Sequence, residues 1–326
     1  MAEVLKNTKE AEIKKRVSRA IRRNPSAAAV FSSNFWGPIP PRLYHYTTQH
    51  GMLGIVPSKS FWATDLRYLN DFEEYVYAID CAEKAIASIA PTIKVAGADQ
   101  LSSMILALLK ANRAEDYFIF SLSEDGDSLN QWRSYTRQGP GYALGFDSIK
   151  LHEYCLERGY TFGRCLYSRR EAESAISQLA AEYMVELAQY FPLFSAGEIN
   201  EDLIFSKCRQ FLALFLKYAA FIKNPAFEQE CEWRIIAAVN AEDKGLLEFR
   251  SGPHSIVPYI AIQFEETEFL KKILRDIVIK PSPHMDLAEQ AIKEFVQSQL
   301  INAKIPDYEI KDYSIKRSGV PYREGN

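Results

Sequence analysis

Short runs of apolar and aromatic residues recur along the chain, and several alternate with polar positions as a half-buried strand does. Gly, Pro, Asn and Asp interrupt these runs and mark turns between them. The runs predict strands over Leu43–Thr47, Phe61–Thr64, Tyr117–Ser123, Tyr142–Asp147, Trp233–Val239, Leu246–Phe249, Val257–Phe264, Asp276–Lys280 and Tyr308–Ile315. The pattern further predicts that Trp233–Val239 and Leu246–Phe249 pair as a hairpin.

Apolar residues spaced by three and four predict helices between these strands. The predicted helices are Thr48–Val56, Phe72–Ala90, Asp99–Lys110, Ser128–Tyr135, about 170–222 and Met285–Leu300. A basic helix is expected at the start of the chain, where Ile13, Val17 and Ile21 share one face. Together the two patterns predict an α+β chain that ends in a small α/β unit.

Composition limits the classes of protein to consider. Of the 326 residues, 47% are hydrophobic and 25% are charged, and the net charge is −3. These values are typical of a globular protein and argue against nonspecific binding of nucleic acid by the whole molecule. Five scattered cysteines without a C-x-x-C pair favour a reducing compartment. The longest apolar run, Phe211–Ile222, contains Lys217 and is too short to span a bilayer, so we expect a cytoplasmic protein without a membrane segment.

His45 is the first residue with candidate chemistry. It lies in an aromatic strand, and strand alternation puts Tyr44 and Tyr46 on the opposite face. A lone histidine in an apolar strand is more often a core residue than a ligand. Thr47 and Thr48 follow at the corner between strand and helix, a place where binding residues tend to collect.

Glu230 and Glu232 are the second candidate. At a spacing of two, both carboxylates would point to the same face of an extended strand, before a very apolar run. The structural alternative is an edge strand in which Arg234 pairs with an acid. The functional interpretation uses one carboxylate to stabilise the cation that forms when a glycosidic bond breaks.

Two further segments carry polar side chains beside predicted helices. Arg133 and Tyr135, which follow the strand that ends at Ser123, could bind a phosphate or stack on a base, whereas Trp132 is expected in the core. The segment that holds Asn70 and Asp71 could equally be a helix cap. The chain has no Walker loop, no G-x-G-x-x-G and no G-x-S-x-G, so P-loop phosphoryl transfer and esterase chemistry have no support.

The order of these motifs resembles a large bacterial family of unknown function, DUF2971, which includes AbiGi-like abortive-infection proteins. The resemblance covers about residues 41–323. It predicts one domain over 41–323 after a basic helix and proline-rich connection at 1–40, with a helical insertion at about 168–222 and a C-terminal β-α-β unit at about 255–323. The motifs that carry it are Leu43-Tyr44-His45-Tyr46-Thr47, Trp62-Ala63-Thr64, Leu69-Asn70-Asp71-Phe72-Glu73, Phe120-Ser121-Leu122-Ser123, Trp132-Arg133-Ser134-Tyr135, Gly141-Tyr142-Ala143-Leu144-Gly145-Phe146-Asp147, Lys223 with Glu230-Cys231-Glu232-Trp233-Arg234, and Ser318-Gly319-Val320-Pro321-Tyr322-Arg323.

A more remote resemblance is to the ADP-ribosyltransferase superfamily, through Tyr44-His45-Tyr46-Thr47 and the pair of late glutamates. It implies an α+β fold with a mixed or antiparallel sheet core. It also implies that His45 binds the adenosine ribose of NAD, and that Glu232 or Glu230 is the catalytic acid. A tyrosine would stack on nicotinamide, with Tyr68, Tyr75 and Tyr135 as candidates. The superfamily has glycine where Tyr46 stands, so a side chain occupies a position of close approach.

The leading hypothesis is therefore an NAD-cleaving enzyme that acts as a toxin or effector in anti-phage defence. NAD or a related nucleotide would be its substrate, a protein or nucleic acid its acceptor, and an antitoxin or a phage component its partner. The first alternative is a non-enzymatic sensor that binds a nucleotide or a phage component. The second is a metal-dependent nuclease that uses Asp71, Glu73 and Glu230, although no spacing of ligands singles out a metal site.

Overall fold

The computed structural model describes most of the chain. The described residues are 38–69, 72–92, 94, 98–111, 117–136, 139–188, 190, 201–239, 245–252, 255–306 and 313–321. The predicted basic helix near residues 1–25 lies outside the described residues, as do Asn70 and Asp71.

Ten strands are present among the described residues. They are β1 (Arg42–Thr48), β2 (Ser60–Asp65), β3 (Tyr117–Ser123), β4 (Gly141–Asp147), β5 (Thr161–Arg164), β6 (Glu232–Ala238), β7 (Glu248–Ser251), β8 (Ile256–Gln263), β9 (Leu274–Ile279) and β10 (Ser314–Arg317). They form one mixed sheet, in which β10, β9, β4, β1, β3, β2, β8 and β7 follow one another and β6 pairs with β3 and β5.

Eight α-helices longer than one turn accompany the described part of the sheet. They are α1 (Gln49–Ser58), α2 (Phe72–Ile89), α3 (Ala98–Ala111), α4 (Leu129–Tyr135), α5 (Ser148–Arg158), α6 (Arg169–Ala188), α7 (Glu201–Ala219) and α8 (Met285–Asn302). Shorter helical segments are Leu66–Tyr68, Ala90–Thr92, Pro225–Glu230, Glu266–Glu268 and Phe269–Ile273. The predicted mixed α+β class is confirmed.

Local sequence explains where the elements near the site begin and end. Thr48 caps α1 by accepting a hydrogen bond from the Gly51 amide, and Lys59 ends the helix in the left-handed region. Asp147 caps α5 and Gly159 closes it at a positive φ of 73°. Such caps fix the directions in which the flanking strands leave the helices.

The sheet divides along one edge of β3, and this division shapes the site. Along its other edge β3 pairs with β6 over its whole length, from Tyr117 opposite Ala238 to Ser123 opposite Glu232. On the divided edge, β1 meets β3 only at the Tyr44–Ser123 pair. Strand β2 meets the opposite end of β3 at Phe118. The middle of this edge therefore has no ladder partner among the described strands.

Two sequence-based expectations about β6 are wrong. The strand does not form a hairpin with β7, because β6 lies between β3 and β5 while β7 pairs with β8. It is also not an edge strand, since both of its sides carry a partner. An apolar strand followed by a turn and a second apolar run predicts a hairpin locally, but β6 gains more burial between two other strands.

The chain separates into two compact units. The first comprises residues 1–36, 81–110 and 170–215, and the second comprises 37–80, 111–169 and 216–326. The described part of the first unit is helical and buries Ile105, Ile176, Leu179 and Phe211. Within 168–222 the described residues form α6 and α7, and the expectation of a helical insertion there stays a prediction. The boundaries expected for one domain over 41–323 stay a prediction.

The second unit holds the sheet and the main core. Phe61 stacks on Phe120 with ring centroids 4.1 Å apart, and Phe146 packs on Phe61 at 4.8 Å. Strands β9 and β10 are parallel and are joined through α8, which agrees with the α/β unit expected at the end of the chain. Asp276 of β9 binds Ser314 and Lys316 of β10 and Arg42 of β1. These contacts join the C-terminal α/β unit to strand β1.

Candidate functional site

A cavity opens where β1 separates from β3, and it combines aromatic, hydroxyl and carboxylate side chains. Its volume is about 40 Å³. The centre of one water molecule needs about 10–15 Å³ of such space, so the volume is enough for about three waters. The residues that line it are Tyr44, His45, Tyr46, Ser121, Leu122, Ser123, Gln131, Tyr135, Glu230 and Glu232.

Register explains why His45 and Glu232 reach the same cavity. Tyr44 lies opposite Ser123, and Ser123 lies opposite Glu232, so these three residues stand abreast on one face of the sheet. Alternation puts His45 on the other face. Because β1 leaves β3 directly after this level, side chains from both faces of the sheet can line the opening.

The imidazole of His45 occupies the divided edge of β3. Its Nδ1 lies 2.9 Å from the carbonyl oxygen of Ser121, and its ring stacks on Phe120 at 4.2 Å. Burial lowers the pKa of His45 to about 4, with Arg250 as a further lowering influence. A carbonyl oxygen only accepts hydrogen bonds, so Nδ1 carries the proton of the neutral ring. Nε2 is then an acceptor at neutral pH.

The lowered pKa of His45 predicts an acid-sensitive contribution to stability. In the unfolded chain the group titrates near pH 6.5, so below that pH the unfolded state binds a proton that the folded state refuses until about pH 4. The free energy of unfolding is expected to fall from pH 6.5 to pH 4, with a slope of up to about 1.4 kcal/mol per pH unit. Urea unfolding at several pH values measures this slope.

The variant His45→Gln is the matched control for that titration. Its amide can still donate to Ser121, but it has no proton to bind in this range. The fall between pH 6.5 and pH 4 should therefore shrink in the variant. A variant that loses stability as steeply as the wild type would show that another group causes the effect.

Tyr46 supports the wall of the cavity rather than a ligand. Its hydroxyl donates to the Asp125 carbonyl and accepts from the Ser128 amide, both at 2.8 Å. Its ring meets Trp132 edge-on at 4.7 Å. The side chain thus props up the loop between β3 and α4, and this is the structural role of a tyrosine at the position where the sequence comparison expected glycine.

A carboxylate at the centre of the same loop ties it to the end of the described chain. Asp127 accepts from Trp132 Nε1 at 2.8 Å and from the Gly319 amide at 2.7 Å, and Ser318 donates to it as well. Val320 packs against the cluster formed by Tyr46 and Trp132. The C-terminal segment therefore helps to fix the wall that carries Gln131 and Tyr135.

Tyr44 is held by two glycines and a carboxylate. A Cβ added to Gly126 would lie 2.6 Å from the Tyr44 ring, and one added to Gly145 would lie 2.7 Å from it. Burial raises the pKa of Tyr44, and Asp276 raises it further through its charge and a hydrogen bond. Both glycines are thus required for the ring to lie where it does.

Gly145→Ala is expected to lower the free energy of unfolding by about 1–3 kcal/mol, the usual cost of inserting a methyl group into a packed site. The new Cβ would also meet Asp276 Cβ at 2.8 Å, which leaves the Tyr44 ring little room to retreat. The midpoint of urea unfolding measures the effect. Gly245→Ala is the control, because no atom lies within 4 Å of its added Cβ. Equal midpoints for the two variants would contradict the packing argument.

Glu232 is a buried acid held by two cations. It is 4% exposed, and its Oε1 lies 2.8 Å from Arg234 Nε while its Oε2 lies 2.5 Å from Lys223 Nζ. Burial by itself would raise the pKa of Glu232, but Arg234 and Lys223 outweigh it and lower the pKa to about 2. The ion pair with Arg234, which was the structural alternative from sequence, is present, but within an interior strand.

Glu230 also contacts the Lys223 ammonium, but it does so from outside strand β6, contrary to the expectation from sequence. It does not lie on the strand, because it ends the 3₁₀ helix Pro225–Glu230 and Cys231 follows in the left-handed region with φ 42°. The expectation that two extended residues share one face is therefore wrong. The two carboxylates nevertheless converge, since Glu230 Oε2 lies 2.6 Å from Lys223 Nζ. Unlike Glu232, the Glu230 side chain is 18% exposed.

The remaining predicted site residues are spread more widely. Tyr135 lines the cavity from α4, whereas Arg133 on the same helix is exposed and is not part of the lining. Thr47 is 9% exposed at the end of β1, and Tyr68 is 43% exposed in a short helix; neither lines the cavity. Tyr75 lies in α2, and its side chain is outside the described ones.

Several residues have roles in the site that were not predicted from sequence. Lys223 joins both acids, Tyr167 accepts the Glu232 amide at 2.8 Å, and Gln131 lines the cavity. A lysine seven positions before a glutamate gives no local signal, because it approaches only when β6 is in place. The polar residues Ser121 and Ser123, at the end of an otherwise apolar strand, were the available hint.

No group of three or more potential metal ligands is found among the described side chains. Of the residues named for a nuclease, Asp71 lies outside the described part of the chain and the side chain of Glu73 does too. Among the described helices, none is both long and apolar enough to cross a bilayer.

Comparison with family models gives one match, over residues 131–235, to the family described as "Protein of unknown function (DUF2971)". Residues 131–235 are thus similar to DUF2971. The resemblance to DUF2971 expected from the motifs is confirmed there. The matched segment includes Gln131, Tyr135, Lys223, Glu230 and Glu232, and so covers most of one side of the cavity. No curated protein and no solved structure matches the chain.

Proposed function

We propose that the cavity binds the nicotinamide end of NAD or a related nucleotide, and that the protein cleaves the bond between nicotinamide and ribose. The observation that carries the proposal is the lining itself. Three tyrosines, a neutral histidine and two carboxylates surround the space, and among the described lining residues there is no lysine or arginine. The activity would be that of an ADP-ribosyltransferase or an NAD glycohydrolase on an ADP-ribosyltransferase-like sheet.

Charge favours the nicotinamide end over the phosphate end. The nicotinamide ring of NAD is a cation, and a cation is attracted by the faces of tyrosine rings and by the partly exposed carboxylate of Glu230, whereas Glu232 is neutralised by Lys223 and Arg234. A pyrophosphate needs cationic or backbone N–H donors, which the lining does not supply through lysine or arginine. The phosphates would thus lie outside the cavity, in agreement with its volume of about 40 Å³.

The chemistry requires an anion near the breaking bond. When the bond from ribose C1′ to the ring nitrogen breaks, its electron pair leaves with nicotinamide and positive charge develops on the ribose. Glu230 is assigned to this charge because its side chain is partly exposed at the cavity. Glu232, whose oxygens are bonded to Lys223 and Arg234, is assigned to hold the floor of the site in place. Water or an acceptor nucleophile then adds to C1′.

Two further side chains suit the same ligand. His45 Nε2 is an acceptor at neutral pH and can take a hydrogen bond from a ribose hydroxyl. Tyr135 is the candidate to stack on the nicotinamide ring, since of Tyr68 and Tyr135 only Tyr135 lines the cavity. A role as a toxin or effector in abortive infection is proposed from the resemblance to AbiGi-like proteins, with loss of cellular NAD as its effect.

Incubation with NAD tests the proposal. Nicotinamide separated by chromatography should increase with time and with enzyme concentration, and ADP-ribose or an ADP-ribosylated acceptor should increase in step. Absence of nicotinamide release, with and without a lysate as the source of acceptors, would sink the enzymatic proposal.

A second candidate is a non-enzymatic nucleotide sensor. It is favoured by the small cavity and by the full neutralisation of Glu232 by two cations, which are features of a rigid binding site. Calorimetric titration separates the candidates. Heat of binding with NAD, without any nicotinamide release, would favour the sensor.

A further inference from the structure

The cavity is small even for the nicotinamide end of the ligand proposed for it. Sites for drug-sized ligands measure about 300–1,000 Å³, whereas this cavity measures about 40 Å³. The cavity opens to the surface, so part of a ligand can lie outside it, and movement of a wall would let more of the ligand enter. The part of the wall that is attached most weakly is expected to move first.

The 3₁₀ helix Pro225–Glu230, here called the lip, is the wall with the least burial. None of its residues is buried, whereas β1, β3 and β6 are packed in the core. Two special backbone positions bound it. Asn224 caps its start by accepting a hydrogen bond from the Ala226 amide, and Cys231 at its end has φ 42° and ψ 49°. A segment without buried side chains can leave without exposing apolar core.

Polar contacts attach the lip to the rest of the second unit. Lys223 Nζ lies 2.6 Å from Glu230 Oε2, and Ser123 Oγ donates to the Glu230 carbonyl at 2.9 Å. At the surface, Asn130 Nδ2 donates to Gln229 Oε1 at 2.9 Å, which joins the lip to α4 on the other side of the cavity. The contact between Asn130 and Gln229 lies at the surface and can be exchanged for contacts with water.

Lys223 has two carboxylate partners, so it can release one of them. The residue is fully buried, and a buried ammonium without a partner is strongly unfavourable. Its second carboxylate, Glu232 Oε2 at 2.5 Å, belongs to β6 and not to the lip. When Glu230 leaves, the ammonium keeps an ion pair, so opening the lip does not leave an unpaired buried charge.

We propose that Lys223 is the positioning residue that closes this site: it holds Glu230 in the cavity wall, and the lip opens by releasing Glu230 while Lys223 stays on Glu232. The inference rests on the proposed function only for the identity of the ligand. It explains why two carboxylates share one ammonium, because one acid keeps the charge paired and the other moves.

Chemical footprinting of His45 tests this without any nucleotide. Diethyl pyrocarbonate modifies neutral imidazoles, and His45 is neutral at pH 7 and lies inside the cavity. The imidazole is partly exposed even in the closed structure, so the wild-type rate, measured on the His45 peptide by mass spectrometry, is the baseline, and a rise above it reports opening of the cavity. The exposed His50 in the same molecule is the internal reference.

Two variants should raise the His45 rate. Glu230→Gln keeps the size of the wall but weakens the contact to the ammonium, and a rise of about tenfold is expected, as for the loss of one charge-assisted hydrogen bond. Asn130→Ala removes an exposed contact and should give a smaller rise without affecting folding. Gln290→Ala, which removes the surface contact to Glu294 on α8, is the matched control and should change nothing.

The outcomes separate this inference from the proposed function. A raised His45 rate in Glu230→Gln and Asn130→Ala supports the lip even if the protein does not cleave NAD. Rates equal to the wild type in both variants would overturn the lip even if the protein does cleave NAD. A rise in Gln290→Ala as large as in Asn130→Ala would also overturn it, because the effect would then not be local.

Discussion

Replacing Glu232 with glutamine is expected to lower the free energy of unfolding by about 3–5 kcal/mol, the range found when one partner of a buried ion pair is removed. The substitution leaves Arg234 without its carboxylate in a site where the guanidinium is 2% exposed. The Arg234 contact to the Ala220 carbonyl remains, but it carries no negative charge. The midpoint of urea unfolding measures the loss.

Acid titration provides an independent check on Glu232. Its pKa is lowered from 4.5 to about 2, so the folded state holds the charged form more tightly than the unfolded state does. This contribution, of about 3 kcal/mol, is fully present above pH 4.5 and is lost as the pH falls toward 2. Glu232→Gln should lack that part of the acid transition.

A double variant distinguishes an unpaired charge from a general packing defect. Glu232→Gln with Arg234→Met removes both charges, and it should be more stable than Glu232→Gln alone, because the single variant keeps a buried guanidinium that has lost the negative charge of Glu232. Lys223 keeps Glu230 as its partner in this variant. A double variant less stable than the single one would show that the ion pair is not the source of the loss.

Replacing Glu230 with glutamine is expected to lower the rate of nicotinamide release by about 10²–10³, the usual cost of removing a group that stabilises transition-state charge. Glutamine has nearly the same shape but cannot neutralise a cation on the ribose. Because the Glu230 side chain is partly exposed and Lys223 keeps Glu232, the unfolding midpoint should change much less than in Glu232→Gln. Initial rates at saturating NAD measure the effect.

Glu228→Gln is the matched control for that experiment. Glu228 is an exposed acid in the same 3₁₀ helix, and it is not among the residues that line the cavity. Its replacement should leave the rate of nicotinamide release close to that of the wild type. Equal rates in Glu230→Gln and the wild type would remove Glu230 from the chemistry.

Much of the fold could be predicted because short-range patterns determine it. The strand around His45, the strand that ends at Ser123 and the strand that begins at Gly141 all alternate or run continuously apolar, and each was predicted to within a residue or two. Either Thr47 or Thr48 could be expected to cap the helix that follows, because threonines precede the helical pattern, and Thr48 is the cap. The C-terminal α/β unit followed from the order strand, helix, strand.

Long-range pairing was harder to predict from the sequence. Strand β6 pairs with β3 and β5, and β5 was not predicted at all because Thr161–Arg164 is too short to show a period. The hairpin expected with β7 was the nearest local solution. Which strand a buried strand chooses depends on burial summed over the sheet, which no window of sequence reports.

The site shows the same division between local and distant information. His45, Tyr135, Glu230 and Glu232 were named from sequence and line one cavity. Their relation was not predicted, because Cys231 turns the backbone between the two acids and Lys223 joins them from another element. Spacing in a sequence gives directions of side chains only where the backbone is regular.

The most direct test of the account is a crystal structure of Glu230→Gln grown with NAD, since the slow variant should retain its substrate. The nicotinamide ring is expected in the cavity against Tyr135, with the ribose hydroxyls near His45 and residue 230 and the phosphates outside. NAD bound elsewhere on the protein, or with its adenine end in this cavity, would contradict it.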